Sequence, residues 1–279
     1  MLDFRYHALT LVAVFLALGI GIVLGSSLGD TVVSQANKDI AASLRADLTA
    51  ARADARDARA AVAQREHLID GLFKQLADHK LQDRRIALIG SGDLGQSLQT
   101  EAKDAIHRAG GQVTTTFELR SPPDLTAIGA AVGGEFSNVG PTDPRLRALG
   151  RRIGEAAVRG GKLATQLEKQ FPTRFSGVSG PVDAVAFYRD PRTNRTPADL
   201  QIERGVIEGI RAAGHPVVGI ERVATAPSQI SFYSNQGLSS VDDVDTAGGR
   251  VALVLALAGA RGNFGYKKTA DAPLPKKQG

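Results

Sequence analysis

The chain opens with a long apolar run and then changes to a pattern of charged and apolar positions with helical spacing. No charged residue occurs from Ala8 to Leu28, and about 20 apolar residues are enough for one helix to span a bilayer. A cleavable signal peptide would have a shorter apolar region and a small-x-small cleavage site. The pattern therefore predicts an uncleaved signal anchor over residues 1–29 and no second span later in the sequence.

Small residues form a stripe along this predicted membrane helix. They recur at every fourth position, at Ala13, Ala17, Gly21 and Gly25. Such a stripe lets two membrane helices approach closely and self-associate, although Gly and Ala are common in membrane helices in general. Arg5 precedes the span while the charges after it nearly cancel, so the positive-inside rule favours a cytoplasmic amino terminus. We expect a single-pass plasma-membrane protein whose bulk is extracytoplasmic.

A heptad seam follows the anchor, in steps of four and three residues. Its members, all apolar except Arg65, are Leu44, Leu48, Ala51, Ala55, Ala58, Val62, Arg65, Ile69, Leu72 and Leu76. The seam predicts a coiled-coil stalk over residues 30–83. With Leu48 at position a, Asp47 and Arg52 flank the seam and pair opposite charges between two parallel chains, so we expect a homodimer. The alternative is one amphipathic helix that packs on its own head domain, which the flanking apolar residues Leu68 and Phe73 also suit.

Beyond Gln82, short β-branched runs alternate with helical stretches, which is typical of a parallel α/β sheet. The predicted strands are Arg85–Ile89, Val113–Leu119, Ala184–Tyr188 and Val217–Ile220. The predicted helices are Leu94–Ala109, Pro144–Arg159, Pro197–Ala213 and Ala247–Ala258, the last with Thr246 as its N-cap. The pattern predicts a Rossmann-like head domain over residues 84–268. Ser121–Pro141 is predicted to be a long connection or surface lobe, and residues 269–279 a disordered tail.

The first strand-to-helix turn resembles a dinucleotide fingerprint. The segment from Gly90 through Gly92 to Gly95 reads GxGxxG, and Glu118 ends the next strand. In a dinucleotide site these glycines let backbone amides approach a pyrophosphate, and the acidic residue binds a ribose hydroxyl. However, nicotinamide cofactors are not expected outside the cytoplasm, and Asp93 would put a negative charge beside the phosphates. A tight turn is the favoured interpretation, and we expect no cofactor.

Composition limits the possible metal sites and catalytic groups. The sequence contains no cysteine, one methionine and five histidines without ligand spacing, so the ligands of a tight copper site are lacking. Asp242, Asp243 and Asp245 are hard oxygen ligands that suit calcium or magnesium, although stabilising the start of the following helix is the favoured role. No serine lies in a Gly-x-Ser-x-Gly elbow after a strand. We therefore predict a protein that is not an enzyme and has no nucleic-acid partner.

The net charge is +5, and four basic residues crowd one predicted helix, at Arg145, Arg147, Arg151 and Arg152. Such a helix can meet an anionic wall polymer or a lipid headgroup. A charged helix face is more often simply solvated. The charge pattern alone therefore leaves the partner of this helix open.

Several segments together resemble a known family. They are the opening from Phe4 to Gly21, the coil behind it, and the segments Ser239–Thr246, Gly249–Val254 and Gly262–Lys267. In combination they are similar to the actinobacterial MctB family of copper transporter-type envelope proteins, and the resemblance covers nearly the whole chain. It implies an envelope protein of high-GC Gram-positive bacteria associated with copper transport and homeostasis. The layout is also similar to that of the corynebacterial SteB, which implies a coiled-coil regulator of cell-wall hydrolysis and cell separation with a membrane or cell-wall protein partner.

The residues themselves favour an indirect role in copper handling. One apolar helix and a parallel α/β pattern do not provide the several apolar helices or the many alternating strands of a pore. Two functions therefore stay open at this point: a membrane-anchored protein of copper homeostasis, and a coiled-coil scaffold that recruits wall machinery.

Overall fold

The computed structural model describes residues 4–171, 173–177 and 180–275, which form two compact units, residues 1–64 and 65–279. The α-helices are α1 (Phe4–Ala77), α2 (Gln96–Arg108), α3 (Leu125–Val132), α4 (Leu146–Arg159), α5 (Lys162–Gln170), α6 (Pro197–Ala212), α7 (Ile230–Asn235) and α8 (Ala247–Leu257). The strands are β1 (Arg85–Ser91), β2 (Gln112–Leu119), β3 (Phe175–Ser176), β4 (Ala184–Arg189), β5 (Val217–Ile220), β6 (Ser239–Val241) and β7 (Asn263–Phe264). The predicted mixed α/β class is confirmed.

The first unit consists of the greater part of α1. Within it, His7–Gly25 has a mean hydropathy of 2.6 and is long and apolar enough to cross a membrane. The seam residues Leu44, Leu48 and Val62 are 67%, 48% and 56% exposed, and nothing lies within 4 Å of the Cβ position at Gly21 or Gly25. The glycine positions of the membrane helix and the seam residues from Leu44 to Val62 are therefore uncovered among the described residues, and self-association itself stays a prediction.

The last turns of α1 belong to the second unit and pack on its core. Phe73 and Ala77 are buried, and the Arg108 guanidinium lies 4.2 Å from the centre of the Phe73 ring. Ile69 packs against the same core. Glu66 accepts the backbone N–H of Ala247 at the start of α8, at 2.6 Å. This part of the helix, which the sequence assigned to the stalk, thus packs on the head as the alternative interpretation proposed; the side chain of Leu72 lies outside the described residues.

Seven strands form one sheet in the order β3-β2-β1-β4-β5-β6-β7. All neighbouring pairs are parallel except β2 with β3, so the predicted parallel sheet is confirmed. Side chains alternate between its two faces: Ala87 and Ile89 face a core with α3 to α7, whereas Ile86 and Leu88 face a core with α2, α8 and the end of α1. Both faces of the sheet are covered, which explains the continuous apolar runs of its central strands.

The Gly- and Pro-rich stretch Ser121–Pro141 is more ordered than a simple connection. It contains α3, whose N-cap Asp124 accepts the N–H of Ala127 at 2.9 Å. Phe136 and Val139, which follow α3, are buried in the same core as α4 and α6. The stretch therefore contributes to the core, because its few large apolar residues lie on the inner side of α3 and of the turn after it.

Helices α4 and α6 touch backbone to backbone. Each carries a Gly-x-x-x-Gly pair, Gly150 with Gly154 on α4 and Gly205 with Gly209 on α6. A Cβ atom at any of the four positions would overlap a carbonyl oxygen of the other helix. Interiors are close-packed, so this crossing accepts only glycine at all four positions.

The segment predicted as a disordered tail is described up to residue 275. There Ala272 forms a bridge with Phe264, and the Asp271 carboxylate accepts the backbone N–H of Asn263 at 2.8 Å. Leu274 packs on the core. Residues 269–275 thus cover the β7 edge of the sheet, while residues 276–279 lie outside the described residues.

Candidate functional site at the carboxyl edge of the sheet

The strand order creates a crevice between β1 and β4. From β1 the chain continues to β2 on one side, and β4 pairs with β1 on the other side. In open α/β sheets ligands bind outside the carboxyl ends of the strands at such a switch point. The crevice here has a volume of about 450 Å³. Its polar lining consists of Asp93, Glu118, Arg120, Ser121, Thr173, Arg174, Asp190 and Thr193 beside Gly92.

Gly92 and Asp93 of the GxGxxG segment line this crevice. Gly92 has φ 94°, and a Cβ there would overlap the Thr193 hydroxyl and Asp190. Only glycine fits both the left-handed backbone and the close approach. The N–H of Gly95 donates to the Asp93 carboxylate at 2.8 Å, which closes a tight turn before α2.

Glu118 lies against the same turn from the side of β2. It is opposite Gly90 in the strand pairing, and its carboxylate accepts hydrogen bonds from the Leu94 backbone and from the Gln99 amide. Burial raises the pKa of Glu118, and the nearby Asp93 charge raises it further. The structure therefore brings Gly90, Gly92, Gly95 and Glu118 together, but carboxylates already engage the backbone amides that would bind a pyrophosphate. This geometry favours the tight-turn interpretation.

A buried ion cluster supports the crevice behind this turn. Glu203 on α6 is 1% exposed and accepts hydrogen bonds from Arg189 at 3.0 Å and from the Ser91 hydroxyl at 2.5 Å. The Arg195 guanidinium lies 3.3 Å from the same carboxylate and donates to the Ser91 carbonyl at 2.8 Å. Two cations and one hydroxyl therefore compensate the burial of a single carboxylate, which fixes the ends of β1 and β4 to α6.

A second ion pair, with a buried carboxylate, lies at the ends of β5 and β7. Glu221 follows β5, is fully buried, and accepts hydrogen bonds from the Lys267 ammonium, the Ser228 hydroxyl and the Gln229 backbone. The same ammonium donates to the carbonyls of Arg222 and Thr225 at 3.2 and 3.1 Å. Every proton of the partly exposed ammonium thus has an acceptor, which compensates its position beside a fully buried carboxylate.

The three aspartates after β6 point to different partners. Asp242 accepts the backbone N–H groups of Tyr266 and Lys267 at 2.9 and 3.0 Å. Asp243 accepts the Thr246 hydroxyl at 2.9 Å, and burial raises its pKa to about 7. Asp245 accepts the N–H of Val223 at 2.8 Å. Among the described residues no group of three or more His, Cys, Asp or Glu side chains is arranged to hold a metal ion.

The predicted N-cap of α8 and the basic helix also have defined geometry. The Thr246 hydroxyl accepts the N–H of Gly249 at 2.9 Å, so this N-cap is confirmed. Arg145 pairs with Asp143, Arg147 with Glu208, and Arg151 with Glu155. Three of the four crowded arginines are therefore partnered within the chain, as on a solvated helix face.

Sequence reasoning missed both buried ion clusters. Arg189 and Glu221 each follow the last residue of an apolar run directly, and Lys267 follows the last short strand closely. Charged residues just after buried strands are a usable signal for the carboxyl edge of a parallel sheet. The partners Glu203 and Arg195 carry no such signal, because only the folded chain brings them to that edge.

The chain matches the model of a known protein family. A family model described as copper transport outer membrane protein, MctB, matches residues 1–124 and 181–275. The matched segments include the apolar span of α1, six of the seven strands and both buried ion clusters. No curated protein matches the chain.

Proposed function

The chain belongs to the MctB family of copper transport outer membrane proteins, and from that premise we propose that it serves copper homeostasis in the cell envelope as an anchored protein that is not an enzyme. The candidate span His7–Gly25 supports anchoring. We place its amino terminus in the cytoplasm and the bulk of the chain outside, because Arg5 precedes the span while the charges after it nearly cancel.

The role we propose in copper handling is indirect. Tight binding of copper uses cysteine, methionine or clustered histidine, and the sequence has no cysteine and one methionine. The carboxylates of the sheet edge are engaged by lysine, arginine and backbone donors. We therefore propose that the chain organises other envelope components instead of carrying the ion itself.

The observation that carries this proposal is the uncovered seam of α1. Leu44, Leu48 and Val62 lie largely exposed on one stripe of a helix, and burying such a side chain fully stabilises by about 1.5–3 kcal/mol. A second copy anchored in the same membrane offers an identical parallel helix, with Asp47 and Arg52 as complementary flanking charges. We propose that two copies pair through this seam.

A copper measurement in cells tests the proposal. Deletion of the gene is expected to raise cellular copper in copper-supplemented medium, and the wild-type protein restores the normal level. A variant with Leu44→Asn and Leu48→Asn is expected to reach the membrane but not to restore that level. Asp57→Asn, a change on the polar part of the same helix, serves as the control and restores it. Unchanged copper in the deletion strain contradicts the proposal.

The same exposed seam also favours a second candidate function, a scaffold that recruits machinery for cell-wall hydrolysis and cell separation. The two candidates differ in what covers the seam. Because the chain has no cysteine, Leu48→Cys gives a single crosslinking site in membranes. A disulfide-linked species of twice the chain mass supports self-pairing, whereas adducts with another protein, together with failed septation in the deletion strain, support the scaffold.

A further inference from the structure

A second cavity lies at the opposite, amino edge of the sheet. Its volume is about 410 Å³, within the range of small-molecule sites in proteins. It lies among the loops that enter β5, β6 and β7, beside the ends of α6 and α8. Its lining consists of Arg211, Gly214, His215, Pro216, Val217, Gly237, Leu238, Ser239, Ala256, Gly259, Ala260 and Arg261.

The charge of this lining is of one sign. Arg211 and Arg261 both contribute a positive charge, and the lining includes no aspartate or glutamate. Neither arginine has an ion-pair partner among the described residues. Glu208, one helical turn before Arg211, pairs instead with Arg147. The cavity thus contains two guanidinium groups whose charge no described residue neutralises by direct contact.

The remaining lining combines apolar side chains with loop backbone and the hydroxyl of Ser239. Val217, Leu238 and Ala256 are buried beneath the cavity. Gly237 has φ 68°, and a Cβ there would lie 3.3 Å from Nη2 of Arg211. The glycine therefore leaves the guanidinium room beside the loop. This arrangement offers charged donors at the rim and an apolar floor below them.

We propose that this cavity binds a phosphate monoester group. A phosphate monoester carries a charge of about −1.5 to −2 near neutral pH, which two guanidinium groups match in charge and in the geometry of their paired N–H donors. The apolar floor accepts the carbon skeleton of the alcohol that carries the phosphate. The competing explanation is that the arginines only offset the carbonyl ends of α6 and α8, in which case they stabilise the fold and bind no ligand.

Calorimetry on the full-length protein in neutral detergent micelles separates these explanations. Glycerol 3-phosphate is the water-soluble probe, and phosphatidic acid incorporated into the micelles is the lipid probe. Saturable binding of the first assigns the site to free phosphate esters, and binding of the second alone assigns it to a lipid headgroup. Binding of neither probe overturns the proposal.

Substitutions of Arg211 and Arg261 test whether the probe binds in this cavity. Arg211→Gln with Arg261→Gln is expected to weaken binding by at least about tenfold. Arg211→Lys with Arg261→Lys keeps the charge and the fold and is expected to retain measurable binding. Arg204→Gln, an exposed change on α6 away from the cavity, changes affinity less than about twofold. Equal losses in Arg204→Gln and the double glutamine variant overturn the proposal, since they indicate only bulk charge.

Discussion

The two edges of the central sheet carry charge in opposite ways. At the carboxyl edge Glu203, Glu221 and Asp242 are almost completely buried, and each is bound by several donors. At the amino edge Arg211 and Arg261 line a cavity without a carboxylate in its lining. Charges that are paired within the chain serve the fold, whereas guanidinium groups without an ion-pair partner among the described residues fit the ligand site that we propose. Substitutions at the two edges are therefore expected to differ in what they change.

The largest expected effect is loss of the Lys267 ammonium. Lys267→Met leaves the Glu221 carboxylate buried without its cation, and breaking a buried pair in this way costs about 3–5 kcal/mol of the free energy of unfolding. Denaturant unfolding of the full-length protein in micelles, followed by circular dichroism, measures this loss. A loss below about 1 kcal/mol would remove the structural role that we assign to the carboxyl edge.

The next effect is a pH dependence from Asp243. Its pKa is raised by burial to about 7 from a reference value of 3.8, so the folded state holds the proton more tightly than the unfolded state. The protonated Asp243 carboxyl therefore contributes its full stabilisation of the folded state below about pH 4, and this contribution is lost as the pH rises through about 7. Between pH 5 and 7 the wild type is expected to lose about 2–3 kcal/mol relative to Asp243→Asn. Unfolding curves of both proteins from pH 5 to 8 check this, and parallel curves contradict it.

Removal of the Ser91 hydroxyl is expected to have a smaller effect. Ser91→Ala deletes one charge-assisted hydrogen bond to Glu203 but leaves both arginines, so we expect a loss of about 1.5 kcal/mol. The control is Ser137→Ala, which removes an exposed hydroxyl that donates to the Gly134 carbonyl at 3.0 Å. Denaturant midpoints of the two variants give the comparison, and equal midpoints would mean that burial adds nothing to this bond.

The smallest effect on stability is expected at the amino edge. Arg211→Gln removes an exposed cation without an ion-pair partner among the described residues, and such changes usually stay within about 0.5 kcal/mol. The same unfolding assay tests it. A loss of unfolding free energy as large as that of Lys267→Met would show that Arg211 also stabilises the fold, and the two edges would then not differ in this respect.

Local patterns in the sequence predict much of the fold. The strand Val217–Ile220 and the Thr246 cap agree with the structure at the residue level, because continuous apolar runs and N-caps are local signals. The short strands Ser239–Val241 and Asn263–Phe264 were missed. Their polar side chains form hydrogen bonds between neighbouring strands. For example, the Ser240 hydroxyl donates to Oδ1 of Asn263 at 2.8 Å. Such pairing depends on segments far apart in sequence, which periodicity does not report.

The candidate site shows the same limit. The GxGxxG turn and Glu118 were predicted as neighbours, because a βαβ unit brings them together along a short stretch of chain. The hydrogen bond from the Leu94 backbone to Glu118 decides between a cofactor site and a tight turn, and no spacing rule predicts it. Likewise Glu203 meets Arg189 only because α6 lies across β4. The coiled coil stays a prediction, since its evidence is the seam itself.

The glycine contact between α4 and α6 limits how this protein can be recombined with its relatives. α4 lies in residues 125–180, outside the segments that the family model matches, whereas α6 lies inside them. Because the backbones of the two helices are in direct contact, α4 can be replaced by the corresponding helix of another family member only when that helix also has glycine where it crosses Gly205 and Gly209. Chimeras of these envelope proteins should therefore exchange α4 and α6 together.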